Sequence, residues 1–165
     1  MRAALPFRVE DTHGVLGRKK NSTAVSSDDN GWSSIYASSQ VEYPFEAFFS
    51  AVDDQLIVMH RSGPVGVDLL NGAKTQKRTV PSGGLHIVPG GMSFGFRLHE
   101  ELDTLHCYVR RSVMEEVAAD LIDGDPSQIE IRPDFVDDDP SMASLMHAVQ
   151  YALDEGDYAT ALYVD

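Results

Sequence analysis

One cysteine, Cys107, is all the chain contains, so an internal disulfide and a cysteine-built metal site are both excluded. Cations are scarce as well. Thirteen Lys and Arg stand against 26 Asp and Glu, a formal charge of −13, and a surface of that sign repels a phosphate backbone. These residues are therefore not expected to bind DNA by themselves. No run of about 18 apolar residues occurs, so no transmembrane helix is expected. The opening "MRAALPFRVEDTHG" has too short an apolar stretch for a secretory signal. The expected compartment is the cytoplasm, with no membrane partner.

Catalytic signatures are missing too. No Ser sits in a Gly-x-Ser-x-Gly elbow, and Cys107 has no flanking base. The glycine-rich stretch at 82–98 is followed by a strand pattern, where a phosphate site would need a helix. Asp137, Asp138 and Asp139 precede a helix pattern, where carboxylates cap the helix and meet its dipole. No catalytic residue, no metal and no cofactor is expected.

What is present is a series of short strands. Residues 1–30 lack an apolar period and include "GRKKNSTAVSSDDNG", which reads as a flexible N-terminal arm. From Trp32 the pattern becomes extended: "WSSIYAS", "DQLIVMHRS", two runs around Asn71-Gly72, "LHIV", "MSFGFRL" and "TLHCYVRR". Asn-Gly is the strongest short hairpin signal, because turn positions there take φ > 0. In 92–98, Met92, Phe94, Phe96 and Leu98 share a face, and Ser93, Gly95 and Arg97 share the other. The period then lengthens. Ser112-Val113-Met114-Glu115 reads as a capping box opening a helix near 112–123. "QIEIRP" reads as another strand. A second helix starts with Asp139 as N-cap and Pro140 at the first helical position, with Met142, Leu145, Met146, Val149 and Leu153 along one stripe. "DYATALYVD" starts a further helical pattern with no cap, so the chain is expected to continue in its native form.

The turn at Val88-Pro89-Gly90-Gly91 suits a type II geometry. Gly83, five residues, Pro89, one residue, Gly91 resembles the Gly-x5-Pro-x-Gly turn of the second cupin motif, which joins two strands of a small jelly-roll barrel. Metal-binding cupins carry a His three positions after that last Gly, and an Asn four later. Here those positions are Phe94 and Leu98. The His-x-His of the first motif has no counterpart, since no two histidines lie two residues apart. The order of these segments over residues 31–165 resembles the N-terminal half of an AraC-type transcription regulator.

That resemblance implies a mainly β fold with appended helices: a cupin-like jelly-roll barrel followed by two or three α-helices. It implies an arm at 1–30, a barrel at 31–135 including the helix near 112–123, and a helical dimerisation segment at 136–165. A small-molecule effector would bind a metal-free barrel. The chain would form a homodimer, and DNA would be a partner only through a C-terminal helix-turn-helix domain absent from this sequence. By strand parity and residue type, Trp32, Tyr36, His60, His86 and Phe94 are the expected ligand-binding residues. Met142, Leu145, Met146, Val149 and Leu153 are the expected dimerisation residues, with packing on the chain's own barrel as their other use. The alternatives are a stand-alone small-molecule-binding cupin and a cupin enzyme.

Overall fold

A computed structural model describes residues 5–14, 22–156 and 164. Apolar alternation through the middle of the chain resolves into ten strands: β1 (Ser22–Ser26), β2 (Ile35–Glu42), β3 (Phe45–Phe49), β4 (Gln55–His60), β5 (Val65–Asn71), β6 (Lys74–Val80), β7 (Leu85–Val88), β8 (Phe94–Leu98), β9 (Leu102–Val109) and β10 (Asp134–Val136). Two helices follow β9, α1 (Arg111–Leu121) and α2 (Pro140–Glu155). The strands form two antiparallel sheets, one ordered β1-β2-β9-β4-β7-β10 and the other β3-β8-β5-β6. Successive strands are dealt between the two sheets, as in a jelly roll, and the interior is the space between them.

Side-chain alternation assigns each face. On the six-stranded sheet Tyr36 pairs with Tyr108, Ser38 with His106 and Gln40 with Thr104, all facing the other sheet. The opposite face carries Ala37, Met59, Leu85, Leu105 and Cys107. Met146 and Leu153 of α2 and the fully buried Trp32 pack on it. Burying one such side chain is worth about 1.5–3 kcal/mol, so this layer holds α2 in place. Arg61 adds a polar tie, donating to Gln150 of α2 at 2.6 Å and, through its Nε, to Asp103 at 3.0 Å. Asp139 caps α2 by accepting from the Met142 N–H at 2.9 Å, and Gly156 ends it at φ 60°. Of the expected dimerisation residues, Met146 and Leu153 are buried on the chain's own sheet. Met142 and Val149 are partly buried there, and Leu145 is 63% exposed.

Several local expectations differ from the structure. α1 has no capping box. It begins at Arg111, and its first orphan N–H is taken in trans, Arg111 N donating to Asp54 Oδ1 at 2.9 Å. A cap from another loop leaves Ser112 unused. Along α1, Val117 and Leu121 are exposed, and only Ala118 is buried within the helix. "QIEIRP" is not a strand. A 3-10 turn at Pro126–Gln128 precedes it, and pairing begins only at β10, because Phe135 is the side chain the barrel buries. In the β5–β6 hairpin it is Gly72, not Asn71, that takes the positive φ, with Asn71 paired to Lys74.

The Pro-Gly-Gly turn shifts in the same way. Gly91 holds the positive φ, and Gly90 serves a different need. A Cβ there would lie 2.1 Å from the Asp53 carbonyl oxygen. The loose composition of residues 1–30 also hides packing. Residues 22–26 are the edge strand β1, and Phe7 is fully buried. A single large aromatic with a backbone anchor does not register as an apolar period. The final helical pattern lies outside the described residues, except Val164.

Candidate functional site

The two walls of the interior differ in chemistry. β3, β5 and β8 contribute Phe45, Phe49, Val67, Phe94, Phe96 and Leu98, an apolar wall. β2, β4, β7 and β9 contribute Ser38, Gln40, Glu42, His60, His86, Thr104 and His106, all buried. Burying polar groups is costly unless they are bonded, so the bonding of this set is decisive.

Glu42 Oε2 accepts from Thr104 Oγ1 at 2.8 Å and from His106 Nε2 at 3.2 Å. Gln40 Nε2 lies 3.3 Å from the same imidazole nitrogen, and Gln40 Oε1 accepts from Ser38 Oγ at 3.2 Å. One ring nitrogen cannot both donate to Glu42 and accept from Gln40. The carboxylate is the stronger acceptor, so Nε2–H goes to Glu42 and the Gln40 amide is left under-used. Burial disfavours the Glu42 carboxylate, but the neighbouring His106 charge and the bonds from His106 and Thr104 outweigh it and hold Glu42 below its ordinary pKa. His60 is fully buried beside this group, and among the described residues its Nδ1 has no hydrogen-bond partner. Burial, with a smaller contribution from His106, lowers the pKa of His60 to about 4 even against the pull of Glu42. Burial likewise takes His86 to about 3, with His60 and His106 as lesser causes. The His86 ring stacks on Phe135 at 4.3 Å and 7° and on Phe96 at 5.6 Å.

The free space enclosed by Glu42, His60, His86, Phe94 and His106 is about 30 Å³, room for a water or two. One reason for so small a lumen is a plug. The Phe7 ring packs edge-on to Tyr108 at 6.3 Å and tilted on Tyr36 at 6.0 Å. Its N–H donates to the Trp32 carbonyl at 2.7 Å, and the Arg110 guanidinium covers it at 3.7 Å. His13 follows into the same end, its Nδ1 2.9 Å from the Tyr108 hydroxyl and its ring against Phe94 at 5.1 Å. Burial lowers the pKa of His13 to about 4, with His106 a further cause.

The structure brings His60, His86 and Phe94 of the expected ligand-binding residues into one lumen, with Tyr36 at its plugged end. Trp32 is elsewhere, on the outer face of the six-stranded sheet under α2. Glu42, His106, Gln40 and His13 were missed. The signal for the first three lay in parity: "YASSQVE" and "TLHCYV" each carry polar residues on the face that also holds a tyrosine. Among the described residues no group of three or more His, Cys, Asp or Glu is placed to hold a metal ion.

No family model and no curated protein matches the chain. Among solved structures it is similar to the cupin domain of Schizosaccharomyces pombe Cnp3, at 14% identity over 66% of this chain and 77% of that one, TM-score 0.45. It is also similar to a cupin domain from Bordetella pertussis, at 11% identity over 56% of this chain and 96% of that one, TM-score 0.44. The EutQ protein of Clostridium difficile is similar at 10% identity over 55% of this chain, TM-score 0.42, and the match spans 66% of its length, just under two thirds. The structural neighbours are cupin-domain proteins, at a level of likeness that concerns fold alone.

Proposed function

We propose that this domain is a receptor for a small, uncharged polar molecule and does no chemistry of its own. It would be the effector-sensing and dimerising half of an AraC-type transcription regulator. The observation that supports this is the incompletely bonded polar wall, above all the His60 Nδ1, buried without a partner among the described residues. A buried polar set left partly unsatisfied is a cost that a ligand removes. Neutral imidazoles at His60 and His86 offer donors and acceptors without charge, and the phenylalanine wall opposite supplies apolar contact.

A ligand larger than about 30 Å³ needs the space now held by His13 and Phe7. Effector binding and seating of the N-terminal segment would then compete, and the ligand shifts the population between two arrangements of that segment. The exposed Leu145 on α2 is the part of the dimerisation stripe still free to meet a partner. DNA would be reached through a further domain. A stand-alone binding cupin is the second reading, favoured by the same lumen.

A thermal-shift screen of neutral sugars, polyols, amides and ureas tests the receptor role. A ligand at 100 times its Kd adds about 2.7 kcal/mol, and His60→Gln should abolish its effect. If no compound shifts wild-type protein, and removing residues 1–14 exposes no binding either, the receptor reading fails.

A further inference from the structure

Strand β6 breaks the pattern of its own sheet. Its register pairs Arg78 with Val67, Gln76 with Leu69 and Lys74 with Asn71. Val67 and Leu69 point into the apolar interior, so Arg78, Gln76 and Lys74 share that concave face. A strand buried there would carry apolar residues. Instead "KTQKR" (74–78) concentrates three of the chain's 13 cations in five residues. β6 is an edge strand, and its concave face opens onto a cleft of about 690 Å³. The apolar floor of that cleft includes Leu69, Phe94 and Phe135, with Lys74, Gln76 and Arg78 along one rim.

The carboxylates near this rim are weakly committed to it. Arg78 meets Asp137 at only 3.5 Å, and that acid is exposed; such a pair contributes little. Asp134 turns back to accept its neighbour's N–H, Phe135 N, at 2.8 Å. The Arg78 guanidinium also lies 5.2 Å from the Phe135 ring centroid, which places its charge at the cleft edge. Phe94 and Phe135 separate the cleft from the lumen: Phe94 lines both, and Phe135 stacks on the lumen's His86.

We infer that this cleft is a second ligand site, outside the lumen, for an amphipathic monocarboxylate with a flat or extended apolar body. The body lies on Leu69, Phe94 and Phe135, and the carboxylate takes Arg78 in place of Asp137, with Lys74, four residues along the same rim, adding its charge at longer range. A planar guanidinium is suited to a carboxylate, and an apolar floor edged by polar and charged side chains fixes orientation as small-molecule sites do. On a chain of net charge −13, a carboxylate has few other places to be held.

The test is a titration of the whole chain, labelled with nitrogen-15, with 2-naphthoate and with its neutral isostere 2-naphthamide. Amide shifts and naphthalene fluorescence are the readouts. Naphthoate should bind about tenfold or more tighter than the amide and move the signals of Lys74, Arg78, Gly95 and Phe135. Arg78→Gln and, separately, Lys74→Gln should erode that preference while leaving affinity for the amide unchanged. Far-UV circular dichroism of each variant confirms that β6 is intact. Equal binding of acid and amide overturns the proposal, as does a preference that survives both substitutions or shifts confined to Glu42, His60 and His106. Neutral ligands that bind the lumen while naphthoate shows no charge preference remove this site and leave the receptor reading standing.

Discussion

The two walls of the barrel are built by the same rule and filled with opposite chemistry. The four-stranded sheet turns Phe45, Phe49, Val67, Phe96 and Leu98 inward. The six-stranded sheet turns Glu42, His60, His86, Thr104 and His106 inward, equally buried. Dispersion and burial hold the first wall, and such contacts do not care about pH. Bonds to Glu42 hold part of the second, and burial and neighbouring groups shift the titration of Glu42, His60 and His86 within it. Contributions to stability that ignore pH and contributions that depend on it are thus assigned to different sheets.

The largest effect should come from breaking the polar wall on one side only. Glu42→Ala strips His106 and Thr104 of their shared acceptor. Removing one partner of a buried charged set costs about 3–5 kcal/mol, to be read from urea unfolding at pH 7. Replacing the pair together, Glu42→Met with His106→Leu, should recover most of that loss.

Phe96→Ala in the apolar wall should cost about 3–4 kcal/mol. Its cost should be the same at pH 7.5 and pH 5, whereas that of Glu42→Ala should hold down to about pH 4.5 and shrink only below it, as the pH falls through the depressed folded value. A pH-dependent penalty for Phe96→Ala breaks the division of labour.

The third test is the pH profile of the wild type. His13, His60 and His86 have pKa values of about 4, 4 and 3 in the folded chain, below the ordinary 6.5. The unfolded chain therefore binds more protons between those values and 6.5. The contribution of the neutral rings is complete above 6.5 and is lost as the pH falls toward the folded values. For His60 alone it is on the order of 3 kcal/mol. Unfolding midpoints should be flat above pH 7 and drop steeply below 6.5. His86→Phe, with aromatic neighbours already in place, should flatten the drop and leave stability at pH 7 within about 1 kcal/mol. The smallest effect belongs to the outside of the apolar wall. Phe48, 73% exposed and lying across Gly95, should cost no more than about 0.5 kcal/mol as Phe48→Ala.

How far the sequence foretold this depends on whether the information is local. Parity placed Phe94, Phe96 and Leu98 on one face of β8, and Asp139-Pro140 placed the start of α2, because both signals lie within a few residues. The bond between Glu42 and His106 joins residues 64 apart. It exists only because β2 and β9 pair in one register, which no local pattern states. The cap of α1 shows the same limit: the local Ser112–Glu115 box was available, and a carboxylate 57 residues away took the position. Trp32 precedes β2 and lies outside any strand, so alternation could not place it; it packs on the outer face of the six-stranded sheet.

That distant cap ties together two ends of the molecule. Asp54 bonds the first N–H of α1 and also the Arg110 guanidinium, at 3.4 Å, and that guanidinium lies on the ring of Phe7. The plug of the barrel and the first turn of the helix therefore lean on one carboxylate. Their energies are linked: substitutions at Phe7 and at Asp54 should fail to add, and whatever unseats the ring also loosens the foot of α1.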